Sequence, residues 1–277
     1  MKTSEKPDVQ ARERESEPAR SRGSVIAAVV FLTRLPIAGA YETRRISAAA
    51  WAFPLVGAAI GFASGAVYAV AAGVGVPPLA AALLALAANA YITGALHEDG
   101  LADTADALGA AGSHAQRLEI MRDSRLGAFG VLALIFVIGL KLAAISALGG
   151  ETAGSAAVLA ALTAAAAASR GGLPVVMRLA PLARTDGLAV DAGRPGWPGM
   201  GLAVSLGAVV AGGVLAGYGW IAVVLSLSVA ALAAVGVVAL AVRRLGGYTG
   251  DVLGATQQGA ETAMLLALSA IIAGGGT

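Results

Sequence analysis

The stretch from Leu96 to Gly130, LHEDGLADTADALGAAGSHAQRLEIMRDSRLGAFG, carries Glu98, Asp99, Asp103, Asp106, Glu119 and Asp123, six of the chain's seventeen carboxylates. Arg117, Arg122 and Arg125 are interleaved with its second half. On either side the chain is almost purely apolar, in runs long enough to cross a bilayer. A polar island between such runs marks where the chain leaves the membrane and turns back. With Gly100 to Leu108 helical, Asp99, Asp103 and Asp106 stand at i, i+4 and i+7 and share one face. Leu101, Ala105 and Leu108 take the opposite face and can pack against protein. Like charges on one stripe repel. A hard divalent cation such as Mg²⁺, which takes one or two carboxylates plus phosphate oxygens, offsets that repulsion. A solvated acidic loop is the plainer reading of such a stretch. The repeat on one face, the membrane boundary and the interleaved arginines favour a metal–phosphate site.

Working outward, the composition agrees with a membrane setting. The 277 residues are 57% hydrophobic and only 13% charged, with a mean hydropathy of +0.78. Soluble domains carry about a quarter charged residues. The expected fold class is all-α: a polytopic bundle of about seven transmembrane helices with an N-terminal interfacial or re-entrant helix. A β-barrel is disfavoured because the apolar runs are continuous rather than alternating. The chain has no cysteine, which excludes thiolate metal sites. Its net charge of +2 is too small to suggest a nucleic-acid partner.

Residues 1–23 are polar, without an apolar period or a signal-peptide pattern, and read as a disordered cytosolic tail. Residues 24–277 read as a single membrane-embedded catalytic domain. The run 24–40 is interrupted by Arg34 and Pro36, so a re-entrant or interfacial helix is expected, with Arg34 facing a polar cavity. Spans are then expected at 51–75, 79–96, 128–148, 155–179, 200–216, 220–242 and 260–273. The connections 1–50, 97–127, 180–199 and 243–259 hold the arginines between spans, while 74–78, 149–154 and 217–219 hold no Lys or Arg. By the positive-inside rule the acidic stretch faces the cytosol and the C-terminus lies outside. Gly57, Gly61 and Gly65 are spaced by four, a spacing that lets membrane helices approach closely.

Ser113 to Gln116 has the form of a capping box, so a short helix is expected from there. It carries Arg122, Asp123 and Arg125 toward the island; both arginines suit phosphate oxygens, and both also suit a positive-inside anchor. Arg170 lies inside a span and is a functional candidate by default, with Asp103 or Asp251 as its expected partner. Lys141 is read as a residue that snorkels. The connection around Gly250 and Asp251 sets glycine-rich backbone beside a carboxylate, which suits close approach to a phosphate or metal. The connection with Arg184, Asp186, Asp191 and Arg194 is long and polar enough to fold over a substrate, or to be a linker. His97 borders the acidic face as an acceptor or proton shuttle, and His114 is read as a surface residue. No P-loop, GxSxG or HExxH is present, which argues against ATPase, serine hydrolase or zinc protease chemistry.

FLTRLP (31–36), FPLVGAAIG (53–61), HEDGLADTADAL (97–108), RLEIMRDSRLGAFG (117–130) and GGYTGDVLGA (246–255) resemble the cobalamin synthase family, the adenosylcobinamide-GDP ribazoletransferases. The match runs in consistent order from about residue 25 to 261. Two departures are minor: Glu98 stands where members often have a neutral residue, and Arg122 where a lysine is often seen. The resemblance implies a Mg²⁺-dependent, multi-pass enzyme of the bacterial inner membrane with its site facing the cytosol. It implies the joining of adenosylcobinamide-GDP to α-ribazole or its 5′-phosphate, giving adenosylcobalamin or its phosphate and GMP. Combined with the residues, it suggests Asp99, Asp103 and Asp106, with Asp123 or Asp251, as metal ligands. Arg122, Arg125 and Arg170, with Arg34, Arg184 and Asp186, would hold substrate, and one free carboxylate or His97 would take the proton. Membrane lipid, a second copy of the chain and a soluble protein of the same pathway are the further partners expected. A transporter is disfavoured because the acids cluster at one boundary and no internal repeat is visible. Other Asp-rich membrane transferases carry patterns this chain lacks: Asp99-Gly100-Leu101-Ala102 is followed by Asp103, not by arginine.

Overall fold

The computed structural model describes residues 24–37, 46–123, 125–150 and 154–272. The expected tail over 1–23, and Arg44 and Arg45, lie outside the described residues. A first helix, α1, covers 24–32. It is followed by α2 (Phe53–Gly73), α3 (Pro78–Thr93), α4 (Leu96–Gly109), α5 (His114–Ile120) and α6 (Ala128–Leu148). Then come α7 (Gly154–Leu179), α8 (Leu188–Ala192), α9 (Trp197–Leu215), α10 (Trp220–Leu245) and α11 (Gly250–Ile272). Among the described residues the only extended pairing is an isolated parallel bridge, Leu182 to Tyr248. The all-α polytopic bundle is what the apolar runs lead to.

The centre is α7, whose Ala-rich sequence lets neighbours on both sides reach its backbone. A Cβ added at Gly57 or Gly61 of α2 would strike the α7 carbonyls of Ala166 and Leu162, and one at Gly65 would lie 2.8 Å from the Cα of Leu159. The glycine ladder in the sequence is therefore a packing seam, as its spacing suggests. On the other side Gly171 meets Ala203 and Gly207 of α9. The large apolar side chains of α6, α9 and α10 (Ile135, Phe136, Val209, Leu232, Val235) point outward and are exposed, the reverse of a soluble core and the arrangement a lipid solvent favours.

Among the described residues five helices are long and apolar enough to cross a membrane: Ala50–Gly73, Ala128–Leu148, Gly154–Leu179, Trp197–Tyr218 and Trp220–Leu245. The two further spans expected are different objects. The first, α3, is short and joins α4 through a bend of 91°, so α4 turns across the end of the bundle and the pair makes a sixth, broken span or a re-entrant loop. The bend is made by Gly94 and Ala95, both left-handed at φ 68° and 57°. The second, α11, starts ten residues before the expected span, where the Thr249 hydroxyl accepts the Val252 N–H. It carries Gln257, Gln258 and Glu261 on a buried face, so it is packed by protein rather than by lipid.

The polar connections gather at one end of the bundle. Arg122 pairs with Asp186. Tyr248 N–H donates to Pro181 O and Ala183 N–H to Tyr248 O. A Cβ on Gly246 would lie 3.3 Å from His114 Nδ1.

Candidate active site

The site is built on the crossing of α4 and α11. Both helices present glycine there. A Cβ on Gly100 would lie 2.7 Å from the Asp251 carbonyl oxygen and 2.9 Å from its Cα, and a Cβ on Gly254 would lie 3.1 Å from the His97 carbonyl oxygen. Two backbones in van der Waals contact bring the first turn of α11, with Asp251, against the middle of α4, with Asp99 and Asp103. The consequence is electrostatic. Asp103, outside the five unbroken spans and partly exposed, is raised to about 6, first by loss of water and then by the charges of Asp99, Asp251 and Asp106. A carboxyl crowded by three others is a place where positive charge is favoured.

The carboxylates divide by task. Asp106 accepts the N–H groups of Gly127 and Gly130, each at 2.8 Å, one on each oxygen; it anchors the start of α6, a favourable position for an anion. Asp99 and Asp103 carry no such tie. Asp123 is bound to Arg125 through the Nε–H at 3.0 Å, which holds its carboxyl down at about 2. Asp123 is not among the charges that raise Asp103. Among the described residues no group of three or more His, Cys, Asp or Glu side chains is assembled to hold a metal ion unaided.

Arginines rim the cluster. Arg184 Nη2 stands 4.0 Å from Asp251 Oδ2, and its Nε 3.9 Å from Asp186 Oδ1. Arg122 Nη2 donates to both Asp186 oxygens at 2.7 and 2.6 Å. The polar connection 180–187 is therefore folded over the site, joined to Arg122, two residues past α5, on one side and to Asp251 on the other. Arg125 is 88% exposed with its fork on Asp123, so that fork is committed to a neighbour. Arg117, buried, donates to the carbonyls of Ala107, Leu108 and Gly112 and closes the end of α4. Arg34 does not face a cavity. It is exposed, its backbone N–H donates to Ile92 O at 2.8 Å, and its aliphatic stem lies across Gly94 at the α3–α4 bend. A bare glycine in a left-handed turn leaves a surface flat enough for that stem.

Beneath the carboxylates lies a second polar group that the sequence did not reveal. Lys141, instead of snorkelling, is buried and donates to Gln258 Oε1 and Glu261 Oε1, each at 2.7 Å. Arg170 is wholly buried and pairs at 3.0 Å with Glu261 Oε2, not with Asp103 or Asp251. Gln258 Nε2 donates to Glu98 Oε1 at 2.9 Å. His97 is 3% exposed and turned toward this group rather than toward Asp103. The available signal was the run Gln257-Gln258, Glu261 inside an otherwise apolar segment, polar residues that a lipid-facing helix would not carry. An apolar cleft of about 680 Å³ is lined by residues of α7, α9 and α10 with Thr256 and Ala260 of α11, and its lining holds no charged side chain.

Fold and site together define a polytopic helical membrane protein with a carboxylate cluster, rimmed by arginines, at one end of its bundle. Residues 24–269 match the model of the cobalamin-5-phosphate synthase family, and the chain belongs to that family; it is an enzyme, a transferase of cobalamin biosynthesis. It is 42% identical over 245 residues to the adenosylcobinamide-GDP ribazoletransferase of Bradyrhizobium diazoefficiens, covering 88% of this chain and 92% of that one. It is likewise 42% identical over 256 residues to the protein of the same name from Azorhizobium caulinodans, with 90% and 96% covered. The Brucella anthropi protein of that name is 40% identical over 255 residues, with 89% and 96% covered. No solved structure matches.

Proposed function

We propose that the protein joins adenosylcobinamide-GDP to α-ribazole, or to its 5′-phosphate, in a Mg²⁺-dependent reaction at the cytosolic face of a bacterial inner membrane. The observation that carries this reading is the juxtaposition of Asp99, Asp103 and Asp251 at a glycine crossing, with Asp103 raised to about 6 by its neighbours. The residues fit the cation. Mg²⁺ keeps several waters and needs only one or two carboxylates when phosphate oxygens complete its shell, so a site lacking three converging ligands is what a substrate-completed centre requires. One or two of Asp99, Asp103 and Asp251 would hold it, and it would supply neutralisation of the charge that develops on the departing phosphate.

The rest falls to side chains of this chain. Arg184 and Arg122, held over the cluster by Asp186, exchange that carboxylate for diphosphate oxygens, for which a guanidinium fork is well shaped. The ribazole 3′-hydroxyl attacks the phosphorus on the cobinamide side. The new ester P–O bond forms as the P–O anhydride bond breaks, and GMP leaves. A carboxylate of the cluster that is left free of metal takes the hydroxyl proton. The arginine-bearing connections, gathered at one end of the bundle, support a cytosolic site by the positive-inside rule.

The test is GMP release by purified protein in detergent, with adenosylcobinamide-GDP, with and without α-ribazole and Mg²⁺. Release that requires all three supports the reading. Release without Mg²⁺, or unimpaired turnover by Asp103→Ala in folded protein, removes the metal site.

A further inference from the structure

The acidic residues of α4 face three ways. Asp99 and Asp103 look toward Asp251, while Glu98 looks inward and Asp106 sideways to α6. Glu98 is bonded to Gln258, Gln258 and Glu261 to Lys141, and Glu261 to Arg170. Gln257 adds a bond from its Nε2 to Ser169 Oγ at 3.1 Å. These side chains lie on four helices, α4, α6, α7 and α11. Lys141, Arg170, Gln257, Gln258 and Glu261 are all buried, at 3% exposure or less.

With Glu98 ionised, two cations meet two carboxylates and the group is neutral. Without that charge, the buried set holds one uncompensated positive charge in a medium where charge is costly. Where α4 and α11 cross most closely, at Gly100 and Gly254, the contact is glycine against backbone. Those points permit close approach and supply no knob to set the rotation of one helix on the other. A hydrogen bond to a charged group does have direction.

We propose that Glu98 and Gln258, backed by Lys141, Glu261 and Arg170, are positioning residues: their chain of bonds sets the rotation of α4 and thereby aims Asp99 and Asp103 at Asp251. Asp106, held by two backbone N–H groups of α6, is the second pin. The inference deepens the reading of the carboxylate cluster given above and rests on it. It assigns Arg170, the largest fully buried side chain, to the support of the site rather than to the substrate.

The test has two arms. In the first, Glu98→Ala in membranes or detergent lowers kcat by roughly a hundredfold, the scale of a misplacement of about 1 Å, and raises the Mg²⁺ concentration for half-maximal rate. The exchanged pair Glu98→Gln with Gln258→Glu, which restores both bond and charge, recovers the rate to within about tenfold of the unaltered protein. Glu98→Gln alone, which keeps the volume, replaces Glu98→Ala if the latter does not fold. In the second arm, no activity is needed. The chain has no cysteine, and Thr104, buried at 2% exposure on the inward side of α4, accepts the near-isosteric Thr104→Cys. Maleimide labelling at that position is slow in the otherwise unaltered chain and about tenfold faster once Glu98→Ala frees the helix. Unchanged kcat and Mg²⁺ dependence in Glu98→Ala, an exchanged pair no better than the single variants, or an unchanged labelling rate each overturns the proposal. Absence of GMP release by the unaltered protein overturns instead the reading it rests on, and leaves the labelling arm standing.

Discussion

Replacing Gly100 by alanine adds one methyl group where α4 meets α11, and the structure sets the size of the effect. The new Cβ would lie 2.7 Å from the Asp251 carbonyl oxygen and 2.9 Å from its Cα. Ordinary contact begins near 3.4 Å, so the shortfall is about 0.7 Å. Both opposing atoms are backbone and neither can swing aside, so the helices themselves must part. Overpacking of this kind costs about 1–3 kcal/mol of stability. A separation approaching 1 Å between Asp251 and the α4 aspartates lowers turnover by about a hundredfold. The matched control is Gly139→Ala on α6, where an added Cβ meets nothing within 4 Å; helix propensity makes that change neutral or stabilising by up to about 1 kcal/mol. The assay is GMP release at saturating Mg²⁺, beside thermal unfolding in detergent. A Gly100→Ala protein that melts like the control and turns over at the unaltered rate refutes the idea that this crossing places the carboxylates.

Three further outcomes are expected. Asp103 has its folded-state value raised from 3.8 to about 6, so its contribution to stability is present below its ordinary value and is lost as pH rises through about 6; added Mg²⁺, which favours the charged form, offsets that loss above pH 6. Melting temperature followed against pH with and without Mg²⁺ checks the sign, and identical curves would count against a cation at this carboxylate. Lys141→Ala leaves the Glu261 carboxylate one partner short in a buried setting and destabilises by about 3–5 kcal/mol; a melt shifted by less than a degree or two would show the pair to be hydrated. Arg122→Ala removes a rim ion pair whose side chains are 56% and 62% exposed, so stability changes by less than about 1 kcal/mol while KM for adenosylcobinamide-GDP rises; a normal KM would place the diphosphate away from this rim.

Much of this was legible in the residues. Runs of Ala, Leu, Val and Gly of span length specify membrane helices because a bilayer leaves the backbone no other way to satisfy its hydrogen bonds. The acidic island between two such runs, and the arginines kept to alternate connections, located the polar end. The four-residue glycine spacing in α2 named its own seam. Local rules also found the capping box, where Ser113 accepts from Gln116 N–H and the Gln116 side chain answers Ser113 N–H.

What only the tertiary structure decided is which of several equivalent charges meets which. Three aspartates at one helical spacing look alike in sequence, yet Asp106 is spent on the start of α6 while Asp99 and Asp103 remain at Asp251. Arg170 found Glu261, 91 residues away, and Lys141 found Gln258 at a separation of 117. Hydropathy along the chain is a local property and dictates which segments enter the membrane. Ion pairing inside the bundle depends on helix rotation and crossing; glycines decide where backbones can touch, long-range polar bonds fix the rotation, and no one segment carries that information.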